Sequence, residues 1–174
     1  MNPPLITVIG SSNTDMVVRT RHLPVAGETT LGGDFFMNPG GKGANQAVAA
    51  RRLGGNVSFI AKIGNDIFGK EALQLFNSEG LNTDHVITDV MNPSGVALIA
   101  VDERAENLIV VAPGANSNLS VIDLEAARVE ITRSEIILLQ LEIPLSTVMY
   151  AAEMAFTTGK KVILNPAPAC ELPD

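Results

Sequence analysis

Asn38-Pro39-Gly40-Gly41-Lys42-Gly43-Ala44-Asn45-Gln46-Ala47-Val48-Ala49 is the stretch that decides how this chain reads. Glycines crowd around one lysine, and an alanine-rich run that favours helix follows at once, from Ala44 to Leu53, closed by Gly54-Gly55. Glycine permits positive φ and lets the backbone approach a ligand closely. A helix start offers unpaired N–H groups and a partial positive charge. Lys42 adds a full charge, and Asn45 adds both donors and an acceptor. The run has neither the G-x-x-x-x-G-K-[ST] spacing of a P-loop nor the G-x-G-x-x-G of a dinucleotide turn. It suits an oxygen-rich small molecule.

On either side, apolar runs alternate with helical patterns. Leu5-Ile6-Thr7-Val8-Ile9, Val57-Ser58-Phe59-Ile60-Ala61, Ile136-Ile137-Leu138-Leu139-Gln140-Leu141 and Val162-Ile163-Leu164 read as buried strands of a parallel sheet. A helix capped by Asn65 or Asp66 should run to Glu79, with Phe68, Ala72, Leu75 and Phe76 on one face. Ser120 predicts a helix to about Glu130, and Pro144 and Ser146 open another that reaches Thr158. Gly95 to Val101 and Asn107 to Val111, joined by a charged turn, predict a hairpin. The expected fold is α/β: a Rossmann-like, mostly parallel sheet with helices on both faces. Two β-rich segments, about 14–38 and 92–112, interrupt it and could form a small separate sheet acting as a lid.

Composition narrows the function classes. The chain has 174 residues, 46% of them hydrophobic and 18% charged, which suits one globular core and argues against disorder. The net charge is −7 and no basic cluster is present, so nucleic acid and anionic membranes are poor partners. Cys170 is the only cysteine, and the isolated His22 and His85 lack metal-ligand spacing, so no metal site is expected. No G-x-S-x-G elbow occurs. No apolar run reaches membrane-spanning length, and Met1-Asn2-Pro3-Pro4 does not open like a signal peptide, which makes a cytoplasmic protein the expectation.

In open α/β sheets, ligands bind beyond the carboxyl ends of the strands. Asn13 and Asp15 follow the first apolar run, Glu142 follows the run that ends at Leu141, and Asn165 follows Leu164. The Gly40–Asn45 turn should face the same edge. Taken singly, Asp15 reads as a turn residue, Glu142 as a surface charge before a proline, and Lys42 as a solvated cation. Their joint placement is what points to a site. Two carboxylates would repel a phosphate, yet they accept hydrogen bonds from neighbouring hydroxyls, while lysine and asparagine donate. The set fits a polyol.

These same residues carry a family likeness. Gly40-Gly41-Lys42-Gly43-Ala44-Asn45-Gln46-Ala47 closely resembles the first signature of the ribokinase-type carbohydrate kinases, the phosphofructokinase-B family. Asn13-Thr14-Asp15 is similar to its N-x-D start, Pro24 to Thr29 to its P-x-x-G-E-T turn, and Ile63 to Gly69 to its G-x-D-x-x-G segment. Gly114-Ala115-Asn116, Leu139 to Glu142 and Asn165 to Ala169 follow in the family's order, so the likeness covers essentially the whole chain, 1–174. It implies that Asn13, Asp15, Gly41, Lys42, Gly43, Asn45 and Glu142 hold a sugar, with an apolar lid residue, Ala97 or Val111, packed on it. It further implies transfer of the ATP γ-phosphoryl group to the primary hydroxyl of D-ribose, with Mg²⁺ and a monovalent cation, K⁺, and a homodimer formed through the lid.

The chain departs from the family's pattern in one large respect. The D-T-x-G-A-G-D segment, which in the family carries the catalytic base and the phosphate-binding glycines, does not occur up to Asp174. Phosphoryl transfer rests on positioning and charge stabilisation, so the acceptor half is expected here and the donor half is not. The expectation is the N-terminal part of such a kinase, inactive by itself. A non-catalytic sugar-binding or dimerising module, or a kinase for a related sugar or a nucleoside, are the alternatives.

Overall fold

The computed structural model describes residues 3–173; Met1 and Asn2, at the start of the N-terminal reading, and Asp174 lie outside the described residues. In chain order come β1 (Leu5–Ile9), β2 (Asn13–Arg19), β3 (Phe35–Gly40), α1 (Lys42–Arg52), β4 (Asn56–Gly64), α2 (Ile67–Ser78), β5 (Val86–Asp89), β6 (Gly95–Val101) and β7 (Asn107–Ala112). A 3-10 turn, Gly114–Asn118, leads to α3 (Val121–Ala126), α4 (Arg128–Arg133), β8 (Ile136–Leu139), α5 (Leu145–Thr157) and β9 (Lys161–Leu164).

The main sheet has five parallel strands in the order β5-β4-β1-β8-β9. Alternation along each strand sends side chains to opposite faces, and both faces are covered. Val8, Val57, Phe59 and Ala61 pack with Ala44, Ala47 and Phe76 beneath α1 and α2. Ile9, Ile60, Ile137 and Leu139 pack with Leu124, Ile131, Val148 and Ala151 beneath α3, α4 and α5. Phe59 and Phe76 meet edge to face, with centroids 5.1 Å apart. The molecule is thus α/β, with helices on both faces of a parallel sheet.

A second sheet of four strands, ordered β3-β2-β6-β7, stands beyond the carboxyl end of β1. β2 and β6 run parallel, while the outer pairs are antiparallel. Asn38, Asp15, Ala97 and Val111 lie in one cross-strand row, and Met37, Met16, Leu98 and Val110 in the next, on the opposite face.

Local differences from the sequence reading have local causes. The segment after Ser120 is two helices, because the backbone tightens at Ala127, whose N–H is shared between the Asp123 and Leu124 carbonyls. Ser120 and Asp123 cap its start reciprocally. β5 had no counterpart in the sequence reading: four residues carry little pattern, and the strand exists through its pairing with β4. β8 stops pairing at Leu139, so Gln140 to Glu142 leave the sheet early.

Candidate functional site

From β1 the main sheet extends to β4 and β5 on one side and to β8 and β9 on the other. β1 and β8 are therefore neighbours at which the strand order reverses, the crevice where ligands bind in such sheets. Ser11 follows β1, Glu142 follows β8, and the two meet. Ser11 Oγ donates to Glu142 Oε2 at 2.6 Å, and the Lys42 backbone N–H donates to the same oxygen at 2.9 Å. The Gly43 N–H reaches Ser11 Oγ at 3.3 Å. Gly41, at the cap position of α1, has no side chain to satisfy that helix start. A carboxylate from the loop after β8 does so, and it is favoured there by the helix dipole. Lys42 Nζ lies 3.5 Å from the other oxygen, Glu142 Oε1.

The glycines of this turn have separate reasons. Gly41 holds φ +90°, and a Cβ there would lie 2.8 Å from the Asn13 backbone nitrogen. At Gly43 a Cβ would stand 2.5 Å from the Ser11 nitrogen, so α1 can approach β1 only without it. At Gly40 it would fall 2.2 Å from Asp15 Oδ1, in space the carboxylate occupies. Asp15 is half-buried, and its pKa is raised above the ordinary aspartate value, first by burial and then by the negative charge of Glu142, with Lys42 opposing. Asp15, Lys42 and Glu142 thus share one electrostatic neighbourhood.

Asn13 is 7% exposed, and its Oδ1 accepts from Asn116 Nδ2 at 2.8 Å. Lys42 and Glu142 line an open cleft of about 610 Å³ together with Val111, Ile109, Pro144 and Pro168. Of the two apolar candidates, Val111 lines that cleft, whereas Ala97 is buried between Asp15 and Val111 in its row. Asn45 is exposed and lines a neighbouring groove with Asn38 and Pro39. Asn165 bonds through its backbone N–H to the Leu139 carbonyl at 2.9 Å.

Ser11 and Asn116 were not among the expected site residues, although Asn116 ends the family-like run Gly114-Ala115-Asn116. Ser11 is fully buried and its one hydroxyl joins strand, helix and carboxylate, for which the only sequence signal was its place directly after Gly10. Asp66 also does more than cap α2. It accepts from Gly69 N–H at 2.8 Å, from Ser94 N–H at 2.7 Å and from Ser94 Oγ at 2.7 Å, which pins the start of β6. Burial disfavours its charge, but these bonds outweigh burial and its pKa is lowered. Among the described residues no helix is long and apolar enough to cross a membrane, and no group of three or more His, Cys, Asp or Glu side chains is placed to hold a metal ion.

The sequence profile described as pfkB family carbohydrate kinase matches residues 3–173. The chain belongs to the pfkB family. Among its pfkB relatives, the ribokinase of Haemophilus influenzae is 46% identical over 169 residues, covering 97% of this chain and 55% of that protein. The deoxyribokinase of Salmonella typhi is 42% identical over 164 residues, covering 94% of this chain and 54% of that protein. Among solved structures, the Arabidopsis thaliana ribokinase complexed with ribose and ATP superposes with a TM-score of 0.79 at 32% identity, covering 93% of this chain and 53% of that one. The chain spans about half the length of the curated relatives it matches.

Proposed function

We propose that these residues form the acceptor side of a sugar kinase that moves the γ-phosphoryl group of ATP to the 5-hydroxyl of D-ribose, giving ribose 5-phosphate and ADP. The observation that carries the reading is the pairing of two carboxylates, Asp15 and Glu142, with Lys42 at the crevice between β1 and β8. A phosphate would be repelled by that pair, whereas adjacent hydroxyls satisfy it. Asp15 and the free edge of Glu142 accept from sugar hydroxyls, Lys42 and Asn45 donate, and Val111 covers an apolar face of the ring. A site built to satisfy hydroxyls rejects analogues that lack them, because its own groups would stay unpaired.

The second sheet acts as a lid in this reading, made of segments 14–38 and 92–112. Its inner row carries Asp15 and Val111. Its outer face exposes Met37, Leu98, Val110, Phe35 and Leu108. Such a patch fits a second copy of the chain, so the assembly is a homodimer. Leu98→Asp should give a monomer by sedimentation, and a dimer that survives it contradicts this.

Base and donor-phosphate groups belong to sequence outside these residues, for which a protein of the relatives' length has room. ATP supplies the phosphoryl group in the cytoplasm. Mg²⁺ and K⁺ would act with the donor phosphates; among the described residues no group of three or more His, Cys, Asp or Glu side chains is placed to hold a metal ion. The test is an acceptor panel with ATP: ribose, 2-deoxyribose, fructose and a nucleoside, on a protein of the relatives' length. The highest kcat/KM is expected on ribose. A preference for any other acceptor overturns the substrate, and ribose-dependent ATP turnover by the 174 residues alone overturns the division of labour.

A further inference from the structure

Asn116 is 1% exposed and lies where three strands of the second sheet meet the main one. Its Oδ1 accepts from the Ser12 N–H at 2.9 Å. Its two Nδ2 protons are shared among three acceptors, Asn13 Oδ1 at 2.8 Å, the nearest, the Pro113 carbonyl at 3.0 Å and the Ser12 carbonyl at 3.1 Å. A backbone N–H can only donate and a carbonyl can only accept, so these partners fix which end of the Asn116 amide is oxygen and which is nitrogen. That polarity passes on. Because Asn116 presents N–H to its neighbour, the neighbouring atom must be the oxygen of Asn13, and the Asn13 Nδ2 group must point away.

Among the described residues Asn13 Nδ2 has no protein acceptor, and it is not one of the buried polar atoms left without a partner. It is therefore a donor with an outlet, the small cavity of about 80 Å³ that Asn13 lines with Pro39, Gly40 and Asn38, the register partner of Asp15. The start of β6 closes over the pair: Asn13 is the register partner of Gly95, where a Cβ would lie 2.2 Å from Asn13 Oδ1 and 2.3 Å from Asn116 Nδ2. Pro113, at the exit of β7, is held by the same amide.

We propose that Asn116 is a positioning residue that sets the polarity of the Asn13 carboxamide, so that Asn13 meets an acceptor oxygen of the ligand with its N–H groups. The inference takes its ligand from the sugar-site reading above. It touches no substrate itself and acts through Asn13.

The test is a double-mutant cycle on the purified protein, with two readouts. The first is D-ribose affinity by calorimetry. Asn116→Ala should weaken it about fivefold, and should weaken it no further in an Asn13→Ala background. Equal weakening in both backgrounds, or unchanged affinity in a folded Asn116→Ala protein, overturns the inference. The second readout is hydrogen exchange of the Asn13 side-chain amide by NMR, which needs no sugar and serves where Asn116→Ala does not fold. In the unmodified protein those protons should exchange freely. In Asn116→Asp, which keeps the size of the side chain, the carboxylate can only accept, so Asn13 turns its Nδ2 inward and the protons become protected. Protection in both proteins, or in neither, overturns the inference. A protein that binds no sugar but shows the switch refutes the sugar reading alone. One that binds ribose with additive losses refutes the role of Asn116 alone.

Discussion

β1 and β4 lie inside the parallel sheet with Val8, Ile9, Phe59 and Ile60 fully buried between two layers of helices, whereas β7 of the second sheet is exposed along its whole length. The first sheet is held by side-chain packing on both faces. The second is held by backbone ladders and by polar anchors at its base, the Asn116 amide and the Asp66 carboxylate on Ser94. Stability therefore concentrates in one sheet and adaptability in the other, and the candidate site sits where they join. The junction itself is built from polar contacts and missing Cβ atoms, not from apolar burial.

The largest effect is expected in the parallel sheet. Phe59→Ala removes a ring buried against Phe76 and should cost about 3–5 kcal/mol in denaturant unfolding. A loss below about 1 kcal/mol would mean that the sheet is not the packed core described here. At the junction, Gly43→Ala places a methyl group against the backbone of Gly10 and Ser11 and should cost about 1–3 kcal/mol. It should also displace Lys42 and abolish ribose binding, whereas intact binding would show that α1 and β1 can separate without harm to the site.

Asp15→Asn separates stability from function at the same junction. The raised pKa means that the folded state holds the proton more tightly than the unfolded chain. Stability from this group is full below the ordinary aspartate value near 3.8 and is lost as pH rises through the higher folded value. At pH 7 the carboxylate is thus a net burden, so Asp15→Asn should raise the thermal midpoint while it weakens ribose. Ribose affinity of the unmodified protein should fall as pH drops through the folded value, because the acceptor is protonated there. A lowered midpoint in Asp15→Asn would contradict this assignment. The smallest effect within a single copy belongs to the outer face of the second sheet, where Leu98→Ala, read at a dilution that leaves the protein monomeric, should change stability by less than about 1 kcal/mol. A core-like loss there would erase the contrast between the sheets.

The parallel sheet was legible because its strands are near-continuous apolar runs, and β1 is found at the residues read for it. β5 was not, because four residues set by pairing carry no periodic signal. At the site, Asp15, Lys42 and Glu142 could be read together because topology gathers residues that follow strand ends. Ser11 and Asn116 could not, since their roles depend on contacts such as those spanning 131 and 103 residues of sequence. Asn45 carries the same chemistry as Asn13 but lies on the exposed side of α1, a distinction that residue type alone does not make.

The most direct test of the account is calorimetric titration of D-ribose into the unmodified protein and into Asp15→Ala. One saturable site is expected, weakened about tenfold or more by the substitution. No saturable binding, or the same affinity in both proteins, would contradict a sugar site at the junction of the two sheets.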